Sequence, residues 1–171
     1  MITSFFIIVI VIISICGFHN KKFYCALRFE PDKKIQLYRY ISYAFIHKNY
    51  IHLIGNIFTL SIFGCIAEAF LSEVLFFKFV ILSIIFSALP YSTKKDNLIG
   101  FSGATSSLTY FCILHYPVIF WVSVPYLLFC WYMDKYSNDE IAHASHLWGS
   151  LFAVIFIGIV DFNLLFNIFV P

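Results

Sequence analysis

Charge is what this chain has least of. Lys, Arg, Asp and Glu make up 12% of its 171 residues and apolar residues 61%, with a mean hydropathy of +0.89. A soluble domain carries about 25% charged and about 45–50% apolar residues, so a water-soluble globule of this composition would be coated in hydrocarbon. A soluble enzyme built on one buried core is therefore excluded. No basic run exceeds two consecutive residues and the net charge is only +2, which removes nucleic acid from the partners to consider. The five cysteines (Cys16, Cys25, Cys65, Cys112, Cys130) are odd in number and form no C-x-x-C pair. They read as small hydrophobes, not as a disulfide framework or a thiolate metal site. Repeats and linkers are lacking too, so residues 1–171 read as one domain.

What the sequence does contain is a series of apolar segments. A transmembrane helix takes about 20 residues, so 171 residues hold six at most, with short connections and no separate soluble domain. The first covers about Ser4–Phe18; it lacks a basic n-region and a small-residue cleavage site, and reads as retained rather than as a signal peptide. The others cover about Ala44–Phe63, Val74–Leu89 (stopped by Pro90), Gly103–Tyr116, Ile119–Met133 and Ile141–Val160. The expected fold class is an all-α membrane protein, a bundle of six transmembrane helices. The longest polar stretch, His19–Tyr43, mixes six basic residues with Phe23, Leu27, Phe29, Ile35 and Leu37. That mixture suits an interfacial loop partly sunk in the headgroup region.

Polar side chains inside hydrocarbon are costly and need a partner or a function. Three groups of them stand out. In the second span, His52 and Asn56 lie one turn apart on one face, with His47 about 140° around from His52 near the helix mouth. Ser102 opens the fourth span between Gly100 and Gly103. In the sixth, His143 and His146 share a face and are followed by Gly149. A serine at a helix N-terminus is ordinarily a cap, and a membrane histidine is ordinarily bonded to a backbone carbonyl. The glycines shift the weighting. Gly100 permits an unusual backbone and Gly103 a close neighbour, while the free N–H groups of the helix start would face anything bound to the Ser102 oxygen. Such an end suits acyl transfer, in which negative charge develops on a carbonyl oxygen. If the sixth span packs on the fourth, His146 can reach Ser102 as a general base. No carboxylate completes a triad: Asp161 lies about 22 Å along the helix from His146, and Asp139 and Glu140 precede the span. His52 and Asn56 can donate to an oxyanion alongside the backbone N–H groups of Ser102 and Phe101.

Taken together, these residues resemble the rhomboid intramembrane serine proteases. The family pattern H-x-x-x-x-H-x-x-x-N is matched by His47, His52 and Asn56, G-x-S-G by Gly100-Phe101-Ser102-Gly103, and A-H-x-x-G by Ser145-His146-Leu147-Trp148-Gly149. An aromatic–Arg pair before the first histidine is matched by Tyr38-Arg39, and the G-x-x-x-E end of the second span by Gly64 and Glu68. The resemblance covers essentially the whole chain in the minimal six-helix form. It implies a Ser102 nucleophile, a His146 base and an oxyanion hole of His52, Asn56 and the Ser102 amide. His143 is the rival base; His146 is preferred because Gly149 stands three residues after it. Arg39 paired with Glu68 would staple the first loop to the end of the second span.

There are departures. The aromatic residue usually found four after the nucleophile, stacking on the base, is Ser106; the small glycine that often follows it is Ser107. The glycine expected seven after the base is Ala153, and the one after Glu68 is Ser72. The resemblance implies no cofactor and no metal, single-span transmembrane proteins in a lipid bilayer as substrates, and a bacterial plasma membrane with the active site opening to the extracytoplasmic side. The charges argue the other way: loops 1, 3 and 5 hold nine of the eleven Lys and Arg residues, which the positive-inside rule would place in the cytoplasm. Two other readings stand beside the protease. One is a non-catalytic relative that binds membrane clients, favoured by Ser106. The other is a metal- or haem-binding bundle using His47, His52, His143 and His146, which leaves Gly-x-Ser-Gly unexplained.

Overall fold

A computed structural model describes residues 1–115, 117–136 and 142–160, with the side chains of 117–123 left aside. Asp139, Glu140, Ile141 and Asp161 lie outside the described residues, as does most of the loop after Asp134. The elements are α1 (Ile2–His19), α2 (Lys21–Leu27), α3 (Arg39–Ser42), α4 (Tyr50–Thr59), α5 (Cys65–Phe70), α6 (Glu73–Ala88), α7 (Ser102–Leu114), α8 (Pro117–Tyr136) and α9 (His143–Val160). A π-helical stretch, Leu60–Gly64, joins α4 to α5 into one continuous rod. Among the described residues there is no strand, only an isolated bridge between Phe29 and Leu98.

Four of these helices are long and apolar enough to cross a membrane among the described residues: Ile2–His19, Tyr50–Phe70, Glu73–Ser92 and His143–Val160. The chain is helical as expected, and four helices meet the length and hydropathy of a crossing; the second expected span, Ala44–Phe63, is displaced to Tyr50–Phe70 because Tyr43–Phe45 is a separate turn. The fourth differs for a physical reason. With 13 residues, α7 rises only about 20 Å, short of a hydrocarbon core of about 30 Å. It is the central helix, packed against α4, α6, α8 and α9 and buried along most of its length from Gly103 to Leu114. A helix enclosed in this way is sheltered by its neighbours and need not itself span the bilayer.

Aromatic rings fill the space around α7. Phe79 of α6 stacks edge-on against Phe111 of α7 and Phe156 of α9, with centroids 5.3 and 4.8 Å apart. Nearer the start of α7, the fully buried Phe101 packs on Phe6 of α1 (5.9 Å) and on Phe45 (6.1 Å). The residue before Ser102 is thus clamped by the core, which fixes where α7 begins.

α1 runs antiparallel to the α4–α5 rod. Its last turns meet Phe45 and Tyr50, and its first amides are capped by Glu68: the N–H groups of Ile2 and Thr3 donate to the carboxylate at 2.6 and 3.0 Å. A carboxylate on free helix N–H groups also meets the positive end of the helix dipole. This contact overturns the expected Arg39–Glu68 staple. The rod places Glu68 roughly 27 Å from Tyr50, at the far end from the first loop, and Arg39 is engaged elsewhere. Its guanidinium donates to Gln36 Oε1 (2.6 Å), to the Cys25 carbonyl (3.1 Å) and to the Arg28 carbonyl, and lies 3.6 Å from Glu30. Arg39 therefore knots the first loop to itself. Tyr38 adds to the knot through its hydroxyl on the Ala26 carbonyl and its ring beside the guanidinium.

The loop is built rather than slack, with α2, a 3₁₀ turn at Pro31–Lys33 and α3 held around Glu30. Ile35 and Leu37 at its tip are 89% and 75% exposed. Two bare apolar side chains beside Lys33 and Lys34 fit a loop lying in the headgroup layer.

Candidate active site

The site is assembled from four short pieces of chain. The first is the turn before α4. His47 was expected on the helical face of the second span, but the backbone at Ile46 is extended and α4 begins only at Tyr50, capped by the Asn49 side chain on the His52 amide. His47 therefore belongs to the turn, not the helix. It is fully buried and both ring nitrogens are occupied. The Phe101 N–H donates to Nε2 at 3.3 Å, so Nε2 is the bare nitrogen and Nδ1 carries the hydrogen. Nδ1–H then donates to Ser14 Oγ at 2.9 Å, and the Ser14 hydroxyl donates to the Phe45 carbonyl at 3.0 Å. His47 is thus a brace between α1, its own turn and the approach to α7, with no nitrogen left for a metal. The same contact removes the Phe101 N–H from the expected oxyanion donors.

The second piece is the approach to Ser102. Gly100 has φ +97°, a conformation open to glycine and rarely to other residues. A Cβ here would also stand 2.6 Å from His52 Cε1, so both backbone and space require glycine. The Gly100 amide donates to the Tyr43 carbonyl at 2.9 Å. Ser102 is the first helical residue of α7, and by helix geometry its own N–H and the next few have no carbonyl within the helix to meet.

The third piece is the face of α4. The His52 ring stands edge-on to His47, with centroids 4.9 Å apart. Asn56 is buried; its amide donates to the His52 carbonyl at 2.9 Å, and its oxygen accepts from Thr105 at 3.5 Å. One of its two N–H bonds remains for other use.

The fourth piece is the start of α9. Gly149 sits against the carbonyl of Gly103, where a Cβ would collide with the oxygen. A Cβ on Gly103 would in turn lie 2.5 Å from Ser145 Oγ and 2.6 Å from Ser87 Oγ. Small residues on both helices let α7 and α9 touch backbone to side chain, the usual means of close approach in membranes. That approach brings His146 beside Ser102. The two line a cavity of about 410 Å³ together with His52, Lys48 and Asn97. They also line a second cleft of about 280 Å³ with His52, Asn56, Thr105 and Tyr126. No hydrogen bond joins Ser102 to His146 in this arrangement; catalytic hydrogen bonds often tighten only once substrate is bound. His143 is buried, 6.2 Å from the His146 ring and 6.3 Å from Phe129, and lines neither cavity.

One hydroxyl-bearing helix start, two histidines and an asparagine thus converge from three helices upon one space. A family model for the rhomboid domain matches residues 34–162, most of the chain and every residue of the site. The chain belongs to the rhomboid family. It is therefore an integral membrane protein of a family whose members in general are serine proteases acting on membrane helices. No curated protein matches this rhomboid. Tyr126 was missed as a lining residue. It lies in a span with no polar spacing pattern, and only the packing of α8 on α7 and α9 brings it to the cleft.

Proposed function

We propose that this rhomboid is an intramembrane serine endopeptidase acting through a Ser102–His146 dyad, within one domain of six membrane helices. The observation that carries the reading is the shared cavity: Ser102, His146 and His52 line both spaces at the start of α7. His146, not His143, faces that space, which supports it as the base. In the first half-reaction, Ser102 Oγ attacks the peptide carbonyl carbon while His146 takes its proton. The tetrahedral oxygen is met by the free amide at the start of α7 and by His52 and Asn56. Collapse breaks the C–N bond, His146 returns the proton to the leaving amine, and an ester on Ser102 remains. Water then attacks the ester carbonyl carbon while His146 takes its proton; the C–O bond to Ser102 breaks, and His146 returns the proton to Ser102 Oγ. No cofactor or metal enters, and the substrate is a single-span transmembrane protein presented from the bilayer.

Ser102→Ala is expected to lower cleavage of a model transmembrane substrate by about three orders of magnitude or more, and His146→Ala comparably, as for residues acting as a unit. Full cleavage by Ser102→Ala overturns the reading. Client binding without cleavage, unchanged by Ser102→Ala, would favour the non-catalytic alternative that Ser106 suggests.

A further inference from the structure

The cleft on the α8 side of Ser102 has one aromatic wall. Tyr126 lines it with Ser102, Ser106 and His146, and among the described residues no other α8 side chain reaches it. The ring is 42% exposed, so it stands at the border of the cleft rather than in the core. Tyr126 from α8 and Ser106 from α7 line the same cleft beside Ser102. Pro125 directly precedes it inside α8; a proline there removes a backbone donor and weakens the helix locally. Ser106 lies one turn after Ser102 on α7. Helical side chains lean toward the N-terminus, so a large side chain at this position would cover Ser102. Serine is too small to do so, and Ser106 only lines the cleft of about 280 Å³.

We propose that Tyr126 closes the α8 side of this cleft in place of a large side chain at position 106, acting as a positioning residue that confines the His146 imidazole beside Ser102 and keeps lipid out. This rests on the protease reading above.

The test uses the full chain in bilayer nanodiscs, with Tyr126→Ala, Tyr126→Phe and the double variant Tyr126→Ala/Ser106→Phe. Cleavage of a transmembrane substrate, labelling of Ser102 by a fluorophosphonate and thermal unfolding are measured for each. Tyr126→Ala should lower kcat about tenfold to a hundredfold, the scale of a small misplacement of catalytic groups, with folding retained. Tyr126→Phe should keep most of the activity, and Ser106→Phe should restore most of it in the Tyr126→Ala background. Wild-type cleavage by Tyr126→Ala overturns the proposal, as does a folded double variant that is not rescued. A wild-type chain that neither cleaves nor labels would instead overturn the protease reading, and this inference with it.

Discussion

The imidazole of His47 joins three segments that are distant in sequence: Ser14 on α1, the Tyr43–Phe45 turn and Phe101 at the start of α7. Removing it by His47→Ala leaves the buried Phe101 N–H without a partner, while the Ser14 hydroxyl keeps its bond to the Phe45 carbonyl. One such unsatisfied group costs about 1–3 kcal/mol. The expected outcome is a lower unfolding temperature in detergent together with slower labelling of Ser102, because the approach to α7 loses its brace. An unchanged unfolding temperature would show that the contacts carry no weight. This role was only half legible in the sequence. The histidine itself stood out, but regular spacing put it on a helix. The signal that corrects this was present, since Asn49 before an apolar run is a start mark. Its partners could not be read at all, because they depend on how α1 packs. The same holds for Glu68: its conspicuous charge was legible, but its partner is the backbone of Ile2 and Thr3, which no motif records.

At the scale of elements, the α7–α9 crossing is the joint on which the site depends. Gly149→Ala drives a methyl group into the Gly103 carbonyl, so α9 must move and carry His146 with it. Overpacking of this kind costs about 1–3 kcal/mol. The expected result is a loss of cleavage larger than the loss of stability, read by comparing turnover with thermal unfolding. Gly103 was legible as a close-approach residue and Gly149 as a motif position; Ser87 on α6, which fills the same joint, was not, since its span carries no mark of the contact.

The first loop responds differently, through charge. The bond from Lys33 holds the Glu30 carboxyl below its ordinary value of 4.5, with Arg28 adding to it. A carboxyl with a lowered folded value contributes stability that is complete above the unfolded value and is lost as pH falls through the folded one. Acidification from pH 6 to below about 4 should therefore lower the amide protection of residues 28–39 relative to their intrinsic exchange rates, and Glu30→Gln should show that lower protection already at neutral pH. Exchange in the variant that matches wild type at neutral pH would contradict the hub.

Over the whole molecule, the helix directions sort the charges. Every Lys and Arg except Lys78 lies at the end of the bundle that bears Ser102, while Glu68 and Glu73 lie at the other. The Lys94–Asp134 pair fastens the third loop to the end of α8 on that same face. Single cysteines at positions 33 and 95 are thus expected to react from one side of the membrane, and a cysteine at position 73 from the other. Labelling of positions 33 and 73 from the same side would contradict the antiparallel packing. Which side carries the first loop is a separate outcome of the same experiment, set between the charge bias and family habit. Composition alone announced a membrane protein, and the three motifs announced a site. Neither could foresee that the serine-bearing helix is the short, enclosed one, because that follows from burial by its neighbours.

An activated nucleophile at Ser102 is what the proposed protease requires above all. It is tested most directly by treating the purified protein in nanodiscs with a fluorophosphonate probe and mapping the modified residue by mass spectrometry. Labelling is expected at Ser102, abolished by Ser102→Ala and strongly reduced by His146→Ala. An unlabelled Ser102 in folded protein, or labelling that is indifferent to His146, would contradict it.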